Sequence, residues 1–265
     1  MDSAVSQIHP TALVDPRAEL GANVTVKPYA IIEGDVQIGD NCIIGAYVVI
    51  RANTQIGAGT EVHTSAVLGE PPQDMKYQGE TTYLRIGAHN HIREFVTIHR
   101  ARGEGASTQI GDSNLIMAYS HIGHNCVLGN NIIMANSVGV SGHCVIEDDV
   151  NMGGMTGFHQ YVTVGTLAMV GGCSRIVRDV PPYTIVEGNP AKPRGINARG
   201  LQRHDLSSER MAALKHAYRL LFRSELNVSA AVERILADGH PTPEVRRLAE
   251  FMVRIDQGSS GRQAN

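Results

Sequence analysis

The chain has 265 residues, 42% of them hydrophobic, enough for one large or two smaller soluble domains. Aromatic residues reach only 5%, with no Trp, against 28 Gly, so the core is expected to be stacked from small aliphatic side chains. The formal charge of -3 conceals a split: residues 1–192 hold 11 Lys and Arg against 18 Asp and Glu (net -7), while residues 193–265 hold 12 against 8 (net +4). No nucleic-acid partner is expected, and the basic tail is either a docking face for an acidic partner or a solvated helical surface.

The N-terminal "MDSAVSQIHP" lacks the basic-then-apolar pattern of a secretory signal, and no later apolar run approaches the ~20 residues that cross a bilayer. No transmembrane segment and a cytoplasmic location are therefore expected. From Ile8 a large apolar residue recurs at every sixth position, through Val14, Leu20 and Val26 as far as Leu68. The register resumes in phase at Ile86, Ile92 and Ile98 and runs from Ile110 to Ile176. Of the 29 slots between 8 and 176, 26 are large and apolar; the exceptions are Asp74, Glu80 and Glu104. A period of six matches neither a helix nor a simple strand, but it fits a parallel β-helix with three sides and 18 residues per coil. Gly often follows the apolar slot, as expected for a tight corner. The residue four past the slot is usually small and can also point inward.

Two stretches leave the repeat: "GEPPQDMKYQGETTYLR" (69–85) and "HRARGEGASTQ" (99–109). A loop as long as the first in a compact fold is usually functional or disordered. Cys42, Cys126, Cys144 and Cys173 form no CxxC pair, and all four are expected as buried, reduced thiols. After "RDVPPYTIVEGNPAKPRG" the hexads stop. About three helices follow: one after Ser207, one after Asn227 with Gly239 beyond its end, and one opened by Thr242-Pro243. The predicted organisation is a β-helix over 1–192 and a helical domain over 193–265.

With 18 residues per coil, residues i and i+18 stack about 4.8 Å apart. His124, Gly142 and Gln160 then form one column, flanked by Asn125, His143 and Tyr161 on one side and Gly123, Ser141 and His159 on the other. His121 and His99 lie nearby. Outward histidines grouped this way suit either proton removal from a hydroxyl near neutral pH or zinc binding with an open position for water. A single flat prism face makes a poor pocket, so the cluster needs a partner surface, which the clefts between neighbouring prisms of a symmetric trimer would supply.

The hexads resemble the hexapeptide-repeat acyltransferases, which implies a left-handed hand for the β-helix. More specifically, "GEPPQDMKYQGETT", "IREFVTIHR", "SHIGHNCVLGN", "GGMTGFHQYVTVG", "MVGGCSRIVRDVPPY" and "EGNPAKPRGIN" resemble in order the UDP-N-acetylglucosamine O-acyltransferase family of lipid A synthesis. The resemblance implies transfer of a 3-hydroxyacyl chain from acyl carrier protein to the 3-hydroxyl of UDP-N-acetylglucosamine by a homotrimer, without a cofactor or metal. It implies His124 as general base and the Gly142 N–H as oxyanion donor. Asp74 and Lys76 match loop residues at the sugar and phosphate, and His121, His143, His159 and Gln160 match the sugar and diphosphate lining. His99 matches a further motif histidine, Asn197 and Arg203 match positions near the uridine and phosphates, and Gly172 matches the acyl-length ruler. A Gly there implies a longer chain. Asn125 stands where familiar members carry Asp, and Arg199 and His204 replace an acidic residue and an Arg. Arg219, Arg223, Arg246 and Arg247 are the candidate carrier-docking cations. Alternatives are acylation of a 3-amino sugar nucleotide, use of a coenzyme A thioester, or a zinc carbonic-anhydrase-like β-helix enzyme. A non-enzymatic scaffold would leave the clustered polar columns unexplained.

Overall fold

The computed structural model describes residues 6–237 and 241–258; Gly239, expected beyond the end of a helix, lies outside them. Short strands, mostly of two residues, form three sheets that we number as faces, parallel throughout except for the last strand of the first. The first face runs from Gln7–Ile8 to Ala191–Ile196, the second from Leu13–Val14 to Arg175–Ile176, and the third from Glu19–Leu20 to Thr163–Val164. Consecutive strands visit the faces in turn, so the chain closes a triangular prism once per 18 residues, as in Gln7↔Thr25 and Leu115↔Ile133.

The apolar slots fill the prism. Ile32, Ile44, Ile50, Ile92, Ile116 and Ile122 are fully buried, and Val24, Ala30, Val36 and Cys42, four past their slots, are buried beside them. Stacked aliphatics thus replace a ring-based core, burying roughly 1.5–3 kcal/mol of transfer free energy per side chain. Asn90 and Asn114 also lie inside, where the amide of Asn114 donates to Asn90 Oδ1 at 2.9 Å and that of Ile132 to Asn114 Oδ1 at 2.7 Å. Buried amides are tolerated because such a ladder satisfies them.

Two sequence expectations need correction. The left-handed corner residue lies three past the slot, at Asn23, Tyr29, Asp35, Asn41 and Tyr47, with φ near 60°. The Gly one past the slot serves another purpose: a Cβ on Gly57 would lie 2.5 Å from the Gly87 carbonyl carbon of the next coil. Glycine is needed there for close approach between coils. Cys42, Cys126 and Cys144 are buried, but Cys173 is exposed. The first three sit at inward positions, whereas Cys173 occupies a left-handed corner.

Both excursions leave the edge between the second and third faces. Ile86 pairs with Ile56, 30 residues earlier, and Ile110 with Ile86, 24 earlier, so they insert 12 and 6 residues without disturbing the register. The three non-apolar slots hold these excursions together. The Thr81 amide donates to Glu104 at 3.1 Å, the Gly103 amide to Glu80 at 3.2 Å, and Arg102 pairs with Asp74 at 3.1 Å.

After an antiparallel hairpin, Thr184–Gly188 with Ala191–Ile196, come four helices among the described residues: α1 (Ala198–Arg203), α2 (Ser208–Arg223), α3 (Val228–Ala237) and α4 (Pro243–Asp256). The last three are those expected, with Ser207 and Thr242 as N-caps and Asn227 Oδ1 accepting from the Ala230 amide. α1, capped by Asn197, is too short to show a helical period. Tyr183 packs into the helical core with Leu201, Leu214 and Leu248, and Arg247 reaches back to Glu147 of the prism at 2.9 Å. Among the described residues no helix is long and apolar enough to cross a membrane.

Candidate active site

The two excursions fold over the second–third edge and cover the histidines there. His124 points outward from the prism, as its place two past a slot requires, yet it is only 6% exposed. Its Nδ1 lies 2.8 Å from Asn125 Oδ1, and its Nε2 lies 3.8 Å from Asp74 Oδ2. The next coil supplies Gly142, where a Cβ would sit 2.6 Å from Nε2. Only glycine at 142 leaves the ring in place.

His143 meets the His124 ring edge to face at 5.1 Å and stacks on Tyr161 at 4.7 Å, reproducing the expected column. Its Nε2 is buried without a hydrogen-bond partner. A buried polar atom of this kind at a site is a natural contact for substrate. His99 and His121 form a second edge-to-face pair at 4.9 Å, and Thr97 Oγ1 lies 2.7 Å from His121 Nδ1. Burial pushes His99 down to about 4 and lowers His121 and His143, with neighbouring histidines adding in each case. These three rings are therefore held neutral around His124. Asp74 is held below the usual carboxylate range, chiefly by the Lys76 amide and also by Arg102 and His124. It is an anion beside Nε2.

The remaining candidates are spread around the prism. His159 and Gln160 are exposed, and His159 shares with His121 a shallow groove of about 340 Å³ on the second face. Lys76 is exposed beside Met75 at the tip of the first excursion. Gly172 is exposed on the first–second edge, where a Cβ would lie 3.3 Å from the Gly154 carbonyl oxygen. Asn197 and Arg203 line a groove of about 950 Å³ over Ile133, Met169 and Ile185 of the first face, with Arg199 and His204. In a triangular prism that face is opposite the second–third edge. One chain alone does not bring Asn197 and Arg203 to His124.

Sequence reasoning passed over Arg102, whose guanidinium holds Asp74 and whose backbone holds Asn125. Its only signal was its place as one of two arginines, with Arg100, in the second excursion. Among the described residues no group of three or more His, Cys, Asp or Glu is arranged to hold a metal.

A prism of hexad coils with an imidazole buried under loops at one edge defines a hexapeptide-repeat transferase, and the six-repeat bacterial transferase hexapeptide profile matches residues 17–52, 35–70 and 107–142. The second-domain profile of UDP-N-acetylglucosamine O-acyltransferase matches residues 179–261. An acyl-[acyl-carrier-protein]--UDP-N-acetylglucosamine O-acyltransferase from Alkalilimnicola ehrlichii is 50% identical over 255 residues, covering 96% of this chain and 99% of its own. A Synechocystis relative of the same name is 49% identical over 205 residues, covering 77% of this chain and 74% of its own. The solved UDP-N-acetylglucosamine acyltransferase from Bacteroides fragilis superposes with a TM-score of 0.93 at 35% identity, covering 98% of this chain and 100% of that one. The chain belongs to the UDP-N-acetylglucosamine O-acyltransferase family. Its fold is the left-handed parallel β-helix followed by a helical domain.

Proposed function

We propose that this protein transfers a 3-hydroxyacyl chain from acyl carrier protein to the 3-hydroxyl of UDP-N-acetylglucosamine, the first step of lipid A synthesis, in the cytoplasm. The observation that carries the mechanism is the buried His124 ring with Nε2 turned toward Gly142 and Asp74. His124 Nε2 takes the proton from the sugar hydroxyl as its oxygen attacks the thioester carbonyl. The imidazolium so formed faces the Asp74 carboxylate, and the Gly142 N–H stabilises the oxyanion. Collapse of that intermediate expels the carrier thiolate, which takes the proton from His124. His121, His143, His159 and Gln160 line the sugar and diphosphate, and His99 buttresses His121. Asp74 and Lys76 hold the sugar and its phosphate.

The separation of His124 from Asn197 and Arg203 supports a homotrimer. The edge of one prism, set against the first face of the next, places the uridine-binding groove of one copy beside the base of another. Sedimentation equilibrium tests this assembly, and a monomer at assay concentration would reject it.

The decisive assay is acyl transfer from a set of 3-hydroxyacyl carrier proteins to UDP-N-acetylglucosamine, with wild type and His124→Ala in buffer containing chelator. Transfer that survives chelation and falls by about 10²–10⁴-fold in the variant is expected. An active His124→Ala enzyme would remove the base assignment. No transfer by wild type with any donor would remove the substrate assignment and direct attention to an amino-sugar acceptor.

A further inference from the structure

Asn125 occupies a left-handed corner, φ 59°, immediately after the base. Its side-chain orientation is set by hydrogen bonding. The Arg102 amide can only donate, and it lies 2.9 Å from Asn125 Oδ1; the Arg102 carbonyl can only accept, and it lies 3.0 Å from Asn125 Nδ2. The reverse amide orientation would set donor against donor and acceptor against acceptor. Asn125 Oδ1 is therefore the atom 2.8 Å from His124 Nδ1, and an amide oxygen only accepts. The Asn125 amide itself donates to Thr108 Oγ1 at 2.8 Å, fixing the corner from a third direction.

We infer that Asn125, clamped by the Arg102 backbone, is a positioning residue that holds neutral His124 as its Nδ1–H tautomer and so leaves the Nε2 lone pair facing the substrate. Among the described residues no group on the other side of the ring competes at hydrogen-bond range. Asp74 stands 3.8 Å from Nε2, with one oxygen on the Lys76 amide and the other on Arg102. Arg102 thus serves the site twice, through its backbone on Asn125 and through its guanidinium on Asp74. An amide does this without adding a charge, so the tautomer is set while the imidazolium gains no second carboxylate. The inference rests on His124 being the base, but its main readout does not.

The test is ¹⁵N-histidine NMR of the full-length protein, with the His124 signals assigned by their loss in His124→Gln. The expected wild-type spectrum has the proton on Nδ1. Asn125→Ala should redistribute it toward Nε2 and lower kcat by about tenfold or more, within the ~10²–10⁴-fold that general-base catalysis contributes. A wild-type proton on Nε2, or an Asn125→Ala spectrum unchanged from wild type, would overturn the inference. Should Asn125→Ala fail to fold, Asn125→Asp decides, because its carboxylate still accepts from Nδ1–H and from the Arg102 amide and gives up only the bond to the Arg102 carbonyl. The Nδ1–H tautomer should persist, and the acidic limb of kcat/KM should move to higher pH, because the new anion favours the imidazolium. The groups facing that ring are Asp74 and Arg102 from the excursions, His99 and His121 from neighbouring strands, and His143 from the next coil. All are retained in the variant. An acidic limb left in place would count against the inference. Loss of the base assignment shows instead as an active His124→Ala enzyme, whatever the tautomer.

Discussion

Along the first–second edge of the prism the left-handed corners carry Tyr29, Tyr47, Phe95, Tyr119 and Met155, all exposed, with Tyr29 stacked on Tyr47 and Phe95 on Tyr119. Along the second–third edge the same corner positions carry Asn53, Asn125, His143 and Tyr161, and the neighbouring His99 and His124 are buried. Both edges obey one six-residue rule and rest on the same aliphatic core, so the core does not choose their chemistry. What differs is cover: both insertions emerge from the second–third edge. An outward residue becomes part of a dry site only where something folds over it, and dryness strengthens each polar contact made there.

The largest expected effect compares glycines at equivalent positions on the two edges, each two past its slot. Gly142→Ala on the covered edge drives a Cβ to within 2.6 Å of His124 Nε2. The displaced atom is the far end of a side chain, so the fold should survive while kcat falls by ~10²–10⁴-fold, the scale of a lost general base. Gly172→Ala on the open edge meets the Gly154 carbonyl oxygen at 3.3 Å and should change turnover with the shortest accepted donor far less. Equal turnover in the two variants would erase the distinction between the edges.

A second effect reports the cover directly. His99 is pushed down from 6.5 to about 4 by burial. Between those values the unfolded chain binds a proton that the folded chain does not, so stability is complete above pH 6.5 and declines as the pH falls toward 4. The loss from this group reaches about 3 kcal/mol at pH 4. Urea midpoints of wild type and His99→Gln between pH 4 and 7 isolate it: the variant should lose less stability on acidification. Parallel curves would mean that His99 is wet.

The hexads, the prism and three of the four helices were legible because each rests on local periodicity or a capping residue. The columns of His124 with Gly142 and of His143 with Tyr161 followed from the 18-residue coil alone. Other features were not legible because they depend on chain that leaves the period. Arg102 reaches Asn125 by way of an excursion whose path no repeat dictates, and Asp74, Glu80 and Glu104 looked like failures of the pattern rather than its staples. The corner glycines were misread because Gly suits both a positive φ and a close coil-to-coil approach, and the sequence does not distinguish the two.

On the open edge, a further consequence concerns donor length. Gly172→Met would place a long side chain where the Gly leaves space beside Gly154. The expected result is a shift in the kcat/KM ratio of shorter to longer 3-hydroxyacyl donors by about tenfold or more, since single methylenes are discriminated on that scale in a fitted pocket. Unchanged selectivity would remove Gly172 from the acyl path.

The smallest effect lies off the prism, on the basic helices. Arg247 is committed to Glu147 at 2.9 Å and Arg223 reaches the Arg194 carbonyl at 3.5 Å, so these two of the four candidate cations help hold the helices where they are. Arg219 and Arg246 are exposed on α2 and α4. Reversing both to Glu should raise the KM for the acidic carrier substrate several-fold, leave the melting temperature near wild type, and lose its effect as salt shortens the ~8 Å screening length of physiological buffer. Arg247→Glu makes the same reversal at a single site but sets two carboxylates together at the prism, so it should lower the melting temperature first. If Arg219→Glu with Arg246→Glu left KM unaltered at low salt, the carrier would have to dock on the prism itself, and the open aromatic edge would be the next surface to mutate.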